Sequence, residues 1–398
     1  GSGPYKIGKV DPSRSITFER VADYWGRNLG VNKGRYNFDA IRFEYYRDTT
    51  VALEAFKANA FDFRQENTAK VWATQYNFPA IAKGKVIRET LANNNPTGMQ
   101  SFAFNVRKSK FQNRRVREAL ALTFDFEWAN KNLFFGQYTR TRSYFSNSEL
   151  AATKIPTGSE LRFLEPLRGQ IPAEVFTKEF KLPETDGSGR SRRQLRQAKR
   201  LLETAGWFVK DGKLTNGETS EVMALEFLLV NQGFARIVAP IQRAMERLGI
   251  KVKVRVVDTS QYINRIRNFD FDVIVGSWGQ SLSPGNEQRD FWGSAAADRP
   301  GSRNYIGIKD PAIDKLIDHI IFASNRGELV AASRALDRVL LWNHFVIPNW
   351  HINSYRIAYW NRFSRPAIKP KYGLGFSDTW WVDEAKDKSL QAALKGRK

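Results

Sequence analysis

Phe269-Asp270-Phe271-Asp272-Val273-Ile274-Val275-Gly276-Ser277-Trp278-Gly279-Gln280-Ser281-Leu282-Ser283-Pro284 decides how the rest of the chain is read. Its first half is a short β-branched apolar run, the pattern of a strand buried on both faces. Its second half changes chemistry. Gly276 and Gly279 flank Trp278, and small polar residues follow. Glycines strip side chains from a backbone, so that a ligand approaches its N–H and C=O groups closely. A tryptophan beside them offers an apolar face with one N–H donor. In open α/β sheets, ligands bind beyond the carboxyl ends of the strands. The same residues also read as a tight turn around a core tryptophan, and the stretch alone leaves both readings open.

The residues before it supply the context. Leu225 to Val230 is an apolar run of strand length. Ile237, Ile241, Met245 and Leu248 make a helical stripe closed by Gly249. Ile250, Val252, Val254 and Val256 alternate with Lys251, Lys253 and Arg255, a half-buried strand. Asp258-Thr259-Ser260 caps a helix running through Ile266. Strand, helix, strand, helix, strand implies a parallel βαβαβ core over 225–280 with right-handed crossovers.

At 398 residues the chain is too long for one ordinary core. Its 42% hydrophobic and 13% aromatic content is globular. No apolar run approaches the ~20 residues that span a bilayer. There are no cysteines, which removes disulfides, thiolate metal sites and a cysteine nucleophile. His319, His344 and His351 show no metal-ligand spacing. Neither a metal nor a cofactor is expected. The net charge of +22 favours acidic partners: anionic ligands, lipid headgroups or nucleic acid. The dense basic segments at 107–117 and 190–200 carry no nucleic-acid-binding motif.

Elsewhere, Tyr5-Lys6-Ile7, Ile16 to Arg20 and Phe38 to Tyr46 read as strands. Thr50 to Ala58 reads as a helix capped by Thr49 or Thr50. The breaker cluster Asn93-Asn94-Asn95-Pro96-Thr97-Gly98 marks a crossing between lobes. Phe111 to Phe126 holds a helix with Val116, Ala119, Leu120 and Thr123 on one face, 134–193 is irregular, and Gln194 to Ala205 is helical. Two helices follow Pro311 and Glu328, then strands at Val346 to His351 and Tyr355 to Tyr359. The chain lacks a GxSxG elbow and a Walker loop, and Asp270 and Asp272 read as caps rather than an acid–base pair. No enzymatic activity is expected.

The order of motifs resembles the peptide/nickel/opine group (family 5) of extracellular solute-binding proteins that serve ABC importers. Gly1 to Lys6 is similar to its GtGPYk turn, and Tyr24-Trp25 to its YW pair. Phe104-Asn105, Phe111 and Val116-Arg117-Glu118-Ala119-Leu120 resemble its FN…F…VRxAL signature. Ala198 to Trp207, Leu248-Gly249-Ile250, Phe271-Asp272, Trp278-Gly279 and Asp310-Pro311 with Asp314 follow in order. The wording around Arg140 to Pro156, Phe363 to Pro366 and Lys371 to Phe376 looks most like the YejA-like branch, associated with oligopeptides and microcin C-type peptides.

The resemblance implies a two-lobed, type II periplasmic-binding-protein-like α/β fold, with mixed sheets flanked by helices. It implies a periplasmic protein that captures oligopeptides between lobes and delivers them to an inner-membrane ABC permease. The alternative is an anion- or nucleic-acid-binding protein using the positive charge. The expected boundaries are 1–96 for a partial first lobe, 97–370 for a ligand-binding second lobe and 371–398 for a return to the first. Family members usually carry a long region before the GtGPY turn, so the resemblance implies a missing N-terminal portion of the same protein, as a separate chain or otherwise, as an expected partner. Gly276, Ser277, Trp278, Gly279, Gln280 and Ser281 are the expected ligand contacts, with Trp278 stacking on the ligand or walling its pocket. Asn304 and Tyr305, then Gln100 and Phe102, come next, and ordinary packing is an equal reading for these four. Many peptide binders of the family place an Asp three residues after the strand-end tryptophan, to pair with the ligand's α-ammonium. Here that position is Ser281. This implies a ligand with a blocked, formylated or otherwise uncharged N-terminus, or one bound in another register.

Overall fold

Three strands and two helices between residues 224 and 278 assemble as their sequences dictate. In the computed structural model, which describes residues 1–395, Ala224–Leu229 pairs in parallel with both Lys251–Val256 and Val273–Trp278. The crossovers are the helices Gln232–Glu246 and Thr259–Arg267. Asn231 caps the first by accepting from the Phe234 N–H at 3.3 Å, and Asp258 caps the second from Gln261 at 3.0 Å. Gly249 takes the left-handed φ of +81° that ends the first helix's turn. Two antiparallel strands, Met99–Phe104 and then Val346–Pro348, extend the sheet beyond Val273–Trp278. Its order is therefore 251–256, 224–229, 273–278, 99–104, 346–348.

Several motif residues prove to be joints of this sheet. The buried Asn105 amide donates to the Phe269 and Phe271 carbonyls at 2.9 and 3.0 Å, tying one strand's end to the next strand's entry. Asp272 accepts from Lys110 at 2.9 Å and from the Glu226 N–H at 3.0 Å, a structural role. Arg117 is buried and its guanidinium donates to the Phe111, Gln112 and Asn343 carbonyls. Helices Pro311–Ile321 and Arg326–Trp342 pack on one face of the sheet, burying Ile313, Leu316, Leu336 and Leu340 against Ile274 and Trp278.

The chain divides into two compact units, one formed by Asn95–Ile352 and the other by Gly1–Asn94 with the chain from Asn353 onward. The first crossing falls inside the Asn93–Gly98 cluster. The return comes at 353, earlier than the expected 371. The reason is Ser354–Trp360, the central strand of a three-stranded antiparallel sheet whose outer strands are Phe63–Gln65 and Val86–Ala92. Its Ala358 and Trp360 join Leu53, Phe56 and Trp72 in one core, while Ile357 and Tyr359 face Phe38, Phe363 and Trp380 in another. The same unit holds the meander Tyr5–Asp11, Ser15–Arg20 and Ala40–Glu44. Residues 396–398 of the expected return lie outside the described residues.

One local expectation differs. Asp48, not Thr49 or Thr50, caps the helix Thr49–Lys57, because its carboxylate takes the Thr50 and Val51 N–H groups at 2.8 and 2.9 Å. The helix expected within Phe111–Phe126 is Arg114–Ala121, which buries Val116, Ala119 and Leu120, and a second helix, Phe126–Asn132, capped by Asp125, follows it. No helix among the described residues is long and apolar enough to cross a membrane.

Candidate ligand-binding strand edge

Val273–Trp278 is covered unequally on its two flanks. On one it pairs with Met99–Phe104 along its whole length, from Val273 opposite Phe104 to Trp278 opposite Met99. On the other, only its Val273 and Ile274 are paired, with Phe227 and Leu228. Beyond Ile274 no strand of the described residues pairs on that flank. A hollow of about 350 Å³ lies there, lined by Val275 and Ser277, by Tyr262, Ile266 and Arg267 of the preceding helix, and by Tyr305.

The backbone polar groups of Val275 and Ser277 face this flank. Val275 O accepts from Tyr262 Oη at 3.4 Å, and Ser277 O accepts from Arg303 Nη2 at 2.8 Å. In a strand, the N–H and C=O of one residue share a flank and alternate with its neighbours. The Ser277 N–H therefore points the same way as its carbonyl. The polar side chains at the edge are two serines, Ser277 and Ser302, two tyrosines and two arginines, Arg267 and Arg303, so the hollow is neutral to cationic. Burial holds the Tyr262 hydroxyl above its ordinary pKa, at about 12, so it remains a donor.

The expected site residues separate into two groups. Ser277 and Gly279 are exposed, and a methyl group built on Gly279 would meet nothing within 4 Å. Tyr305 and Gln100 are half-buried, Tyr305 against the hollow and Gln100 directly opposite Ser277. Ser281 is exposed, its Oγ accepting from the Ser283 N–H at 3.1 Å. Gln280 exchanges amide hydrogen bonds with the buried Gln288.

The others serve the core. Trp278 is fully buried, with its ring 4.8 Å from Trp292 and 5.7 Å from Tyr305, and its N–H donates to the Arg303 carbonyl at 2.9 Å. It leaves no face for a ligand. It braces the Arg303–Tyr305 segment that walls the hollow. Asn304 is also fully buried, and its amide organises a turn by donating to the Gly293 and Ile308 carbonyls and accepting from the Gly307 and Ile308 N–H groups. Phe102 packs among Phe124, Phe227 and Phe234 in the core. Gly276 is buried, and a Cβ there would sit 2.7 Å from the Trp278 ring, which leaves no room for a side chain.

Sequence reasoning missed Tyr262, Arg267 and Arg303. Tyr262 was legible in principle, since Tyr262 and Ile266 lie four apart on one face of a crossover helix. It also missed Glu287, whose carboxylate accepts from the Gly285 N–H at 2.8 Å and at 3.2 Å from Gln288, which also donates to Gln280. No group of three His, Asp or Glu side chains among the described residues is placed to hold a metal ion.

Known proteins share this architecture. The model for bacterial extracellular solute-binding proteins, family 5 (middle region), matches residues 1–299. The probable peptide-binding protein YejA of Agrobacterium fabrum is 47% identical over 387 residues, covering 97% of this chain and 63% of that protein. An uncharacterized YejA of Escherichia coli is 42% identical over 395 residues, covering 99% and 65%. The chain thus spans a little under two thirds of the length of these curated relatives. Among solved structures, the oligopeptide-binding protein AppA of Bacillus subtilis in complex with a nonapeptide superposes with a TM-score of 0.71 at 20% identity, over 96% of this chain and 67% of that one. DppA of Helicobacter pylori with the peptide STSA gives 0.66 at 14% identity, over 96% and 63%.

Proposed function

We propose that this chain, which belongs to family 5 of the bacterial extracellular solute-binding proteins, is the peptide-capturing part of an ABC importer of the periplasm. Its fold is the type II periplasmic-binding-protein fold. The observation that carries the peptide reading is the strand flank at Val275 to Ser277, which no strand of the described residues completes. An extended peptide laid there gains main-chain hydrogen bonds, and this kind of recognition tolerates varied side chains. Ser277, Gly279, Tyr305 and Gln100 are the contacts proposed, with Tyr262 and Arg303 fixing the edge. The partners on this reading are an oligopeptide, an inner-membrane permease and the polypeptide that makes up the rest of the relatives' length.

The preferred peptide lacks a charged N-terminal amine. The motivating feature is the Trp278-Gly279-Gln280-Ser281 sequence, which offers a hydroxyl where a carboxylate would hold an ammonium. Arg267 and Arg303 beside the hollow act in the same direction by repelling an ammonium. Titration calorimetry with pentaalanine and N-formyl-pentaalanine tests this, with tighter binding expected for the formyl form. Equal affinities would sink it. A preference for the free amine that disappears in Glu287→Gln would assign the ammonium to Glu287 instead.

A further inference from the structure

The meander Tyr5–Asp11, Ser15–Arg20 and Ala40–Glu44 has two unlike faces. Residues directly opposite each other in an antiparallel pair share a face. Ile7 stands opposite Phe18 and Phe18 opposite Ile41, while Val10 stands opposite Ile16 and Ile16 opposite Phe43. Ile16 and Phe18 are two apart on one strand, so all six side chains lie on the same face. The other face is polar. There Lys6 stands opposite Glu19, Thr17 opposite Arg42 and Ser15 opposite Glu44, and Arg42 and Glu44 form an ion pair at 2.8 Å.

So clean a division is the pattern of an antiparallel sheet with one face in water and the other against a core. Here the core side is open. Ile7, Val10 and Phe43 are 67%, 49% and 50% exposed, and none of the six is fully buried. Ile41 leans on the core that holds Phe38, Ile357 and Trp380, which anchors one edge of the face. The Phe18 and Phe43 rings meet edge-on at 5.8 Å, which keeps its middle in shape. A contiguous apolar patch of this kind marks an interaction surface.

Two observations identify what covers it. The apolar face of a sheet is closed by a second layer of secondary structure with its own apolar side, which is polypeptide and not a small ligand. The chain spans 63% and 65% of the length of its two YejA relatives, so a little over a third of their polypeptide lies outside the stretch it matches. We propose that the apolar face of the meander is the docking surface for the polypeptide equivalent to that remaining third. The proposal gives a place to the last of the three partners named above, and it rests on family membership, not on peptide capture.

The chain has no cysteine, so an introduced thiol is the only one it carries. Val10→Cys and Phe43→Cys place it on the apolar face, and Arg42→Cys on the polar one. Each variant is purified alone and after co-expression with the part of Agrobacterium fabrum YejA that lies outside the matched 387 residues. Maleimide labelling of this chain is followed by mass spectrometry. The two polypeptides should co-purify, with labelling at 10 and 43 slowed about tenfold or more and labelling at 42 unchanged. Phe43→Lys should lose the co-purification with a native circular dichroism spectrum, and Arg42→Ala should keep it. Co-purification with labelling at 43 unchanged would overturn the proposal, as would failure of the two polypeptides to associate. Slow labelling of the chain alone, with light scattering at twice its mass, would overturn it too and give the face to a second copy. Peptide binding is read separately, by calorimetry with N-formyl-pentaalanine, because the hollow lies in the Asn95–Ile352 unit. Its absence would count against the peptide reading and leave this one standing.

Discussion

Replacing Ser277 by proline tests whether the ligand is read through the main chain. Proline deletes one N–H and leaves the carbonyl. By the alternation of the strand, that N–H lies on the open flank, so the ladder to Met99–Phe104 through Gly276 and Trp278 survives. Proline is tolerated where its missing N–H faces away from the ladder. The residue before it is Gly276, whose lack of a side chain relieves the usual crowding ahead of a proline. Ser277 O already accepts from Arg303, so the N–H is the larger part of what this residue offers a peptide. Its loss removes one hydrogen bond and strands a ligand carbonyl, a change of ~1–3 kcal/mol. The dissociation constant for N-formyl-pentaalanine, read by calorimetry, should rise on the order of tenfold or more. Ser277→Ala, which changes only the side chain, should bind like the wild type. Unchanged affinity in Ser277→Pro, with a native circular dichroism spectrum, would refute main-chain reading at this position.

Two further predictions concern the frame around the edge. A Cβ on Gly98 would fall 1.7 Å from the Trp278 carbonyl oxygen, so Gly98→Ala must displace backbone. It should lower stability by about 2 kcal/mol or more and weaken peptide binding, while Gly279→Ala, with open space around it, should leave stability unchanged. The second concerns Asp337, whose carboxylate is buried and accepts from Ser143 Oγ and the Tyr144 and Ala152 N–H groups at 2.6, 2.7 and 2.8 Å. Burial pushes it up to about 6, against the pull of those donors and of Arg338. The native state therefore holds an extra proton between about pH 4 and pH 6. The stability this group contributes is fully present below pH 4 and lost as pH rises through 6, on the order of 2–3 kcal/mol. Urea midpoints at pH 4 and pH 7 should show that slope in the wild type. Asp337→Asn should be less stable at pH 4, for want of an acceptor, and lack the slope. An equal slope in both proteins would assign it to other groups.

The βαβαβ core was legible because its signals are local and agree with one another. The Gly249 terminator and the Asp258 cap bracket the strand that the Ile250–Val256 alternation predicts. The resemblance in motif order was legible for a related reason. Asn105, Arg117 and Asp272 are joints whose partners lie at fixed places in the fold. The return at 353 was not legible. Ser354–Trp360 follows Trp350–His351 after a short gap, and nothing in the residues says that the two stretches belong to different units. Trp278 shows the limit most clearly. A glycine-flanked tryptophan after a buried strand fits either a pocket wall or a core plug. Only tertiary packing, with Trp292 4.8 Å away and the Arg303 carbonyl taking the N–H, decides for the core. The hollow's own wall, Tyr262 and Tyr305, comes from segments more than 40 residues apart in sequence, a separation of 43 (305 minus 262), and no local pattern joins them.

The central claim is that the protein carries peptides, and native mass spectrometry of the purified chain, followed by denaturing analysis of what is released, tests it most directly. The account predicts a heterogeneous set of short peptides bound at one per chain, with blocked or uncharged N-termini over-represented. A chain that releases nucleic acid, or that stays bare after incubation with a mixed peptide digest, would contradict it.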